Sequence, residues 1–149
     1  MKQCIKKNKG FTLIEILVVI GIIAVLAAAV LIAINPARQF AQAHDSQRST
    51  NIEAILNAVG QNIADNKGSF NCTTLPITAT VMKSTGGYDI ATCLEPTYIS
   101  KMPTDPVTGT YTDKTNYNSN YTIMQDTNTK RITVVATPEI PGATISTTR

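Results

Sequence analysis

The stretch from Phe11 to Ile34 is 24 residues long and is interrupted only by Thr12, Glu15 and Gly21. As an α-helix it would measure about 36 Å, enough to cross a hydrocarbon layer of roughly 30 Å with some tilt. A rod this apolar has to be hidden in a membrane or against other chains, so the remainder of the polypeptide has to fold apart from it. The ten residues before it, MKQCIKKNKG, carry Lys2, Lys6, Lys7 and Lys9, whereas positive charge is scarce just after it. That asymmetry predicts a cytoplasmic N-terminus and an exterior location for everything beyond Asn35. A conventional secretory signal has an apolar core of only about 7–15 residues. Ala27, Ala28 and Ala29 nevertheless offer small residues for cleavage inside the run, and a signal anchor that is never cut is a further alternative.

Glu15 needs an explanation, because a carboxylate at membrane depth is costly unless it reaches water or finds a cation. Its position near the cytoplasmic edge supports the first reading. The sequence K-G-F-T-L-I-E, Lys9 through Glu15, supports the second. A cut between Gly10 and Phe11 would create an α-amino group one helical turn before the carboxylate, available for pairing with a neighbouring subunit. Gly10, without a side chain, lets a protease hold the backbone closely.

G-F-T-L-I-E followed by a long apolar helix resembles the processing and assembly signature of type IV pilins and pseudopilins. The resemblance implies that a prepilin peptidase cuts between Gly10 and Phe11 on the cytoplasmic face, that Phe11 becomes the N-methylated terminus, and that Glu15 is the assembly carboxylate. It also implies local loss of helix on assembly near Gly21 and Pro36. Glycine weakens a helix, and proline removes a donor and clashes with the preceding turn.

Beyond Pro36 the pattern changes. Ile52, Ile55, Leu56, Val59 and Ile63 recur at spacings of three and four among polar residues, which predicts an amphipathic helix with a stop at Asn66-Lys67-Gly68. Arg38, Asp45 and Arg48 read as solvated side chains, or else as contacts to neighbours in an assembled filament, and His44 as an exposed or satisfied histidine. From Ser69 onward short β-prone runs alternate with turn residues and no helical periodicity persists. Tyr121–Met124 and Arg131–Thr137 are the expected strands, with Asp126–Thr129 as the turn between them, while Pro103 and Pro106 make 102–106 a structured loop. The expected fold is α+β: a long N-terminal helix, hydrophobic then amphipathic, packed by its C-terminal half on a small antiparallel β-sheet head. The divisions are a cleaved leader at 1–10, a transmembrane and filament-core helix at 11–35, an amphipathic helix at 36–68 and a β-rich head at 69–149 that packs with 50–66.

Once the leader with Cys4 is removed, Cys72 and Cys93 remain, and an exterior head makes a disulfide between them the natural expectation. By analogy with some major pseudopilins, Asp105, Asp113 and Asp126 are calcium candidates, although they do not form an EF-hand ladder. No other cofactor is expected. The chain has one histidine and no Gly-rich phosphate loop, paired catalytic carboxylates or zinc-ligand spacing, so it reads as a peptidase substrate and not as an enzyme. Loss of residues 1–10 leaves nine basic against ten acidic residues, which does not indicate nucleic-acid binding. The expected function is a structural subunit, processed by prepilin peptidase, handed to inner-membrane assembly machinery and built into a homo-oligomeric filament, either an extracellular pilus or a periplasmic type II secretion pseudopilus. The alternative is a monomeric, membrane-anchored extracytoplasmic binding module.

Overall fold

The structure, a computed structural model, describes residues 10–33 and 35–149. The leader expected over residues 1–10, Cys4 included, lies outside the described residues except for Gly10, and so does Ile34 at the end of the apolar run. The chain divides into two compact units, one ending at Ala37 and the other spanning Arg38–Arg149.

In the first unit, helix α1 covers Leu13–Ala33. Its segment Leu13–Leu31, with mean hydropathy 3.0, is long and apolar enough to cross a membrane. Apolar residues surround it on every side, which distinguishes a membrane or filament-core helix from one that lies on a soluble core. It runs unbroken through Gly21, where an added Cβ would meet nothing. Helix α2, Pro36–Asp65, begins at the proline. At the first position of a helix the missing N–H would have had no partner anyway, so Pro36 opens a new helix after α1 has ended.

The second unit is a sheet packed against α2. Strands β1 (Thr80–Lys83), β2 (Thr110–Asp113), β3 (Asn116–Gln125), β4 (Ile132–Ala136) and β5 (Ile145–Thr148) form one antiparallel sheet in the order β1-β3-β4-β5, with β2 also pairing with β3. The fold is therefore α+β. β3 contains the expected strand Tyr121–Met124, β4 lies within the expected Arg131–Thr137 and is one residue shorter at each end, and the Asp126 turn joins them as a hairpin. β1, β2 and β5 were not foreseen, nor was the one-turn helix α3 at Ala91–Leu94. These elements are four residues each, too short for a periodicity to register.

Alternation puts Tyr117, Tyr121 and Ile123 of β3, and Ile132, Val134 and Ala136 of β4, on the inner face. There they meet Ile52, Ile55, Leu56 and Val59 of α2, all nearly solvent-free, with Leu94 and Met102 filling the margins. Burial pushes the Tyr117 hydroxyl up to about 12. That hydroxyl nevertheless has partners: it accepts from the amides of Ile90 and Ala91 and donates to Asp89. Helix α2 ends in a Schellman turn in which Lys67 takes the left-handed position (φ 58°) and the Gly68 amide donates to the Ile63 carbonyl at 2.9 Å.

Cys72 and Cys93 are joined by a disulfide, with Cα atoms 5.8 Å apart, tying the segment after α2 to α3. Closing a loop of this length contributes about 3 kcal/mol in the chain-entropy model. Replacing both cysteines with serine should lower the unfolding temperature of the head by roughly 10 °C, a shift read by near-UV circular dichroism of its tyrosines in the presence and absence of reductant. An unchanged midpoint would show that the bridge contributes nothing.

Candidate processing and assembly site

The Gly10–Phe11 peptide lies outside any helix or strand, both residues are exposed, and a Cβ at Gly10 would meet nothing within 4 Å. Phe11 is 84% exposed, so the residue that would become the terminus is an uncovered aromatic ring. The Gly10–Phe11 junction is thus exposed backbone without regular secondary structure, close ahead of helix α1.

Thr12 and Glu15 form a reciprocal cap on that helix. The Thr12 amide and hydroxyl donate to the Glu15 carboxylate at 2.8 and 2.9 Å, and the Glu15 amide donates back to the Thr12 hydroxyl oxygen at 3.3 Å. This is a capping box, with Thr12 as N-cap and Glu15 at the third helical position. The pattern T-x-x-E ahead of an apolar run is a sequence-level sign of it, and makes Thr12 the capping partner of Glu15 and more than an interruption of the run. The arrangement orients the Glu15 carboxylate toward the helix N-terminus, where the aligned peptide dipoles favour negative charge. The large apolar side chains of the helix lie open, Leu13, Leu17 and Leu31 among them each more than half exposed. They offer a second copy or a lipid layer an uninterrupted oily surface.

The other concentration of charge is in the second unit, and it corrects the reading of Asp45 and Arg48 as solvated. Arg48 is 3% exposed. Its Nε and Nη2 donate to Asp105 at 2.6 and 3.2 Å, its Nη1 to Asp45 at 2.8 Å, and its Nη2 also to Glu139 at 3.0 Å. The physical reason is positional: residues 45, 48, 52, 55 and 59 recur at alternating spacings of three and four, so Asp45 and Arg48 continue the buried stripe of α2 toward its N-terminus. Asp45 in turn accepts from the amides of Glu139 and Ile140 at 2.9 and 3.1 Å. One arginine thereby joins the helix to the loop around Asp105 and to the strap of residues 137–144 between β4 and β5. Burial by itself would raise the Asp105 carboxyl, but Arg48 and the amides of Thr108 and Val107 outweigh it and hold the group well below the usual carboxylate range. The Asp105 partnership raises the Arg48 guanidinium against the opposing effect of burial.

The three aspartates considered for calcium have separate local duties. Asp105 accepts from the amides of Val107 and Thr108, Asp113 from the amide of Thr115, and Asp126 from the amides of Asn128 and Thr129. Each carboxylate closes its own turn, and Asp105 is neutralised by Arg48 as well. Among the described residues no three His, Cys, Asp or Glu side chains are grouped as a metal site. His44 is engaged too, its Nδ1 lying 3.0 and 3.1 Å from the two Glu139 carboxylate oxygens.

No curated protein and no solved structure matches the chain. Residues 5–31 match the family model described as the prokaryotic N-terminal methylation motif. The exposed Gly10–Phe11 junction, the capped Glu15 and the apolar segment Leu13–Leu31 all fall inside that match, and the chain therefore carries the prepilin signature of type IV pilins and pseudopilins.

Proposed function

We propose that this protein is a type IV pilin-like structural subunit. The precursor is held in the inner membrane by α1 with its head outside; prepilin peptidase cuts between Gly10 and Phe11 at the cytoplasmic face, and the new Phe11 terminus is methylated. Assembly machinery then moves the subunit into a helical filament whose core is made of α1 segments from many copies, as an extracellular pilus or a periplasmic pseudopilus. The observation that carries this reading is the methylation motif placed on a helix that has no cover of its own.

The residues have simple roles. Gly10 admits the protease backbone-to-backbone, and Phe11 supplies the apolar terminus. Glu15, already oriented by Thr12, offers its charge to the α-amine of the adjacent copy in a low-dielectric setting where that attraction is strong. Gly21 and Pro36 are the points at which the rod yields during packing. The chain is thus a substrate of processing and a building element, with no catalytic role of its own.

Sequencing the N-termini of fibres sheared from producing cells tests the proposal. The expected first residue is Phe11 carrying one extra methyl group. Material that begins at Met1 and yields no fibres would instead support the monomeric anchored module, and material that begins after Ala29 would mark conventional cleavage inside the apolar run and overturn the proposal.

A further inference from the structure

We propose that Asn71 is an acceptor for N-linked glycosylation, taking an oligosaccharide from a lipid-pyrophosphate donor at the outer face of the membrane. The inference rests on the exterior placement of the head. An asparagine followed two positions later by Ser or Thr, with any residue except proline between them, is the acceptor pattern, and it belongs on an exterior surface where a bulky sugar has room. The chain holds two such triplets, Asn71-Cys72-Thr73 and Asn120-Tyr121-Thr122. Their surroundings in the fold are opposite.

Asn71 and Thr73 are both exposed, in the bend that follows α2. The triplet itself is anchored at every residue. The Asn71 amide donates to Asn62 Oδ1 at 2.8 Å, Cys72 is bonded to Cys93, and the Thr73 carbonyl accepts from the Tyr88 hydroxyl at 2.6 Å. Among the described residues the Asn71 carboxamide has no hydrogen-bond partner, and the Thr73 hydroxyl has only the Cys72 sulfur, at 3.9 Å. A sugar on Asn71 Nδ2 therefore displaces no contact of the folded head. Asn120 offers no such freedom. Its Nδ2 donates to the Thr108 hydroxyl at 2.6 Å, and that hydroxyl donates in turn to Asp105, the buried partner of Arg48. Its backbone is left-handed (φ 59°) within β3, and Tyr121 beside it is fully buried. A sugar there would break into the buried charge cluster. In the transfer, Asn71 Nδ2 attacks the anomeric carbon of the donor. The C–N bond forms as the C–O bond to pyrophosphate breaks, the lipid pyrophosphate leaves with the electron pair, and one amide proton passes to a base of the transferase.

The test is intact-mass spectrometry of the chain isolated from producing cells. The wild-type mass is expected to exceed that of the polypeptide by a fixed increment of whole sugar residues. That increment should vanish in Asn71→Gln and in Thr73→Ala and persist in Asn120→Gln. Both replaced side chains of the first triplet are exposed, so these two variants leave the core untouched. A wild-type mass without sugar, an increment that survives Asn71→Gln or Thr73→Ala, or one that is lost in Asn120→Gln would overturn the assignment. The same spectra report the N-terminus. A chain that begins at methylated Phe11 and carries no sugar sinks this inference alone, whereas a glycosylated chain that begins at Met1 sinks only the processing scheme.

Discussion

Glu15→Ala is expected to lower the yield of sheared fibres by at least about tenfold, because the charge that recruits the next subunit is lost at every contact along the filament and each loss multiplies. Membrane insertion should be undiminished, since the substitution makes α1 more apolar. Two companion variants separate the duties of the carboxylate. Glu15→Gln keeps an acceptor for the Thr12 amide but removes the charge, and Thr12→Val keeps the charge but removes one donor and the return acceptor of the capping box. If charge pairing governs assembly, Glu15→Gln fails like alanine while Thr12→Val retains part of the yield. If the cap governs it, the order reverses. The measurement is the ratio of sheared to cell-associated subunit on an immunoblot, with N-terminal sequencing to verify that processing is intact. Normal fibre yield from Glu15→Ala would remove Glu15 from the assembly mechanism.

Arg48→Ala should be the most damaging substitution in the head. It leaves the Asp45 and Asp105 carboxylates buried without their cation, a defect of roughly 3–5 kcal/mol. The unfolding temperature of the head should therefore fall by roughly 10–20 °C. Truncating an exposed arginine would move it hardly at all, so the size of the drop reports the burial. The same cluster dictates a pH dependence with a definite sign. Burial opposes the charge on Asp45, and the amides of Glu139 and Ile140 with Arg48 overcome it, so its carboxyl is depressed in the folded head, as is that of Asp105. Groups depressed by folding contribute stability that is fully present above the unfolded carboxylate range, near pH 4, and is lost as pH falls through their folded values. Wild-type stability should thus decline below about pH 4, and Arg48→Ala should flatten that decline because its carboxylates no longer have a favourable state to lose. An Arg48→Ala head with wild-type midpoint and wild-type acid slope would contradict the network.

Much of this was legible along the chain because the deciding forces are local or periodic. An unbroken oily run in Phe11–Ile34 has few physical fates, and the 3.6-residue repeat of Ile52, Ile55, Leu56 and Val59 names the face that meets the sheet. Asn66-Lys67-Gly68 marks the end of α2 since left-handed backbone is needed there. The capping box was legible as well, in T-L-I-E, since its partners are three residues apart. The four-residue strands were not: Thr80–Lys83 and Ile145–Thr148 become strands only because β3 and β4 lie beside them to accept their hydrogen bonds.

The amino-acid order alone therefore determined the membrane-length rod, its processing signature, the amphipathic helix and the β character of the head. Each follows from hydrophobicity and backbone preference acting over a few neighbouring residues. Only the tertiary structure decided that Arg48 is a buried tie and not a solvated side chain. Its partners Asp105 and Glu139 lie 57 and 91 positions away, and no local pattern states which distant carboxylates the closing of a sheet against a helix will bring to one guanidinium.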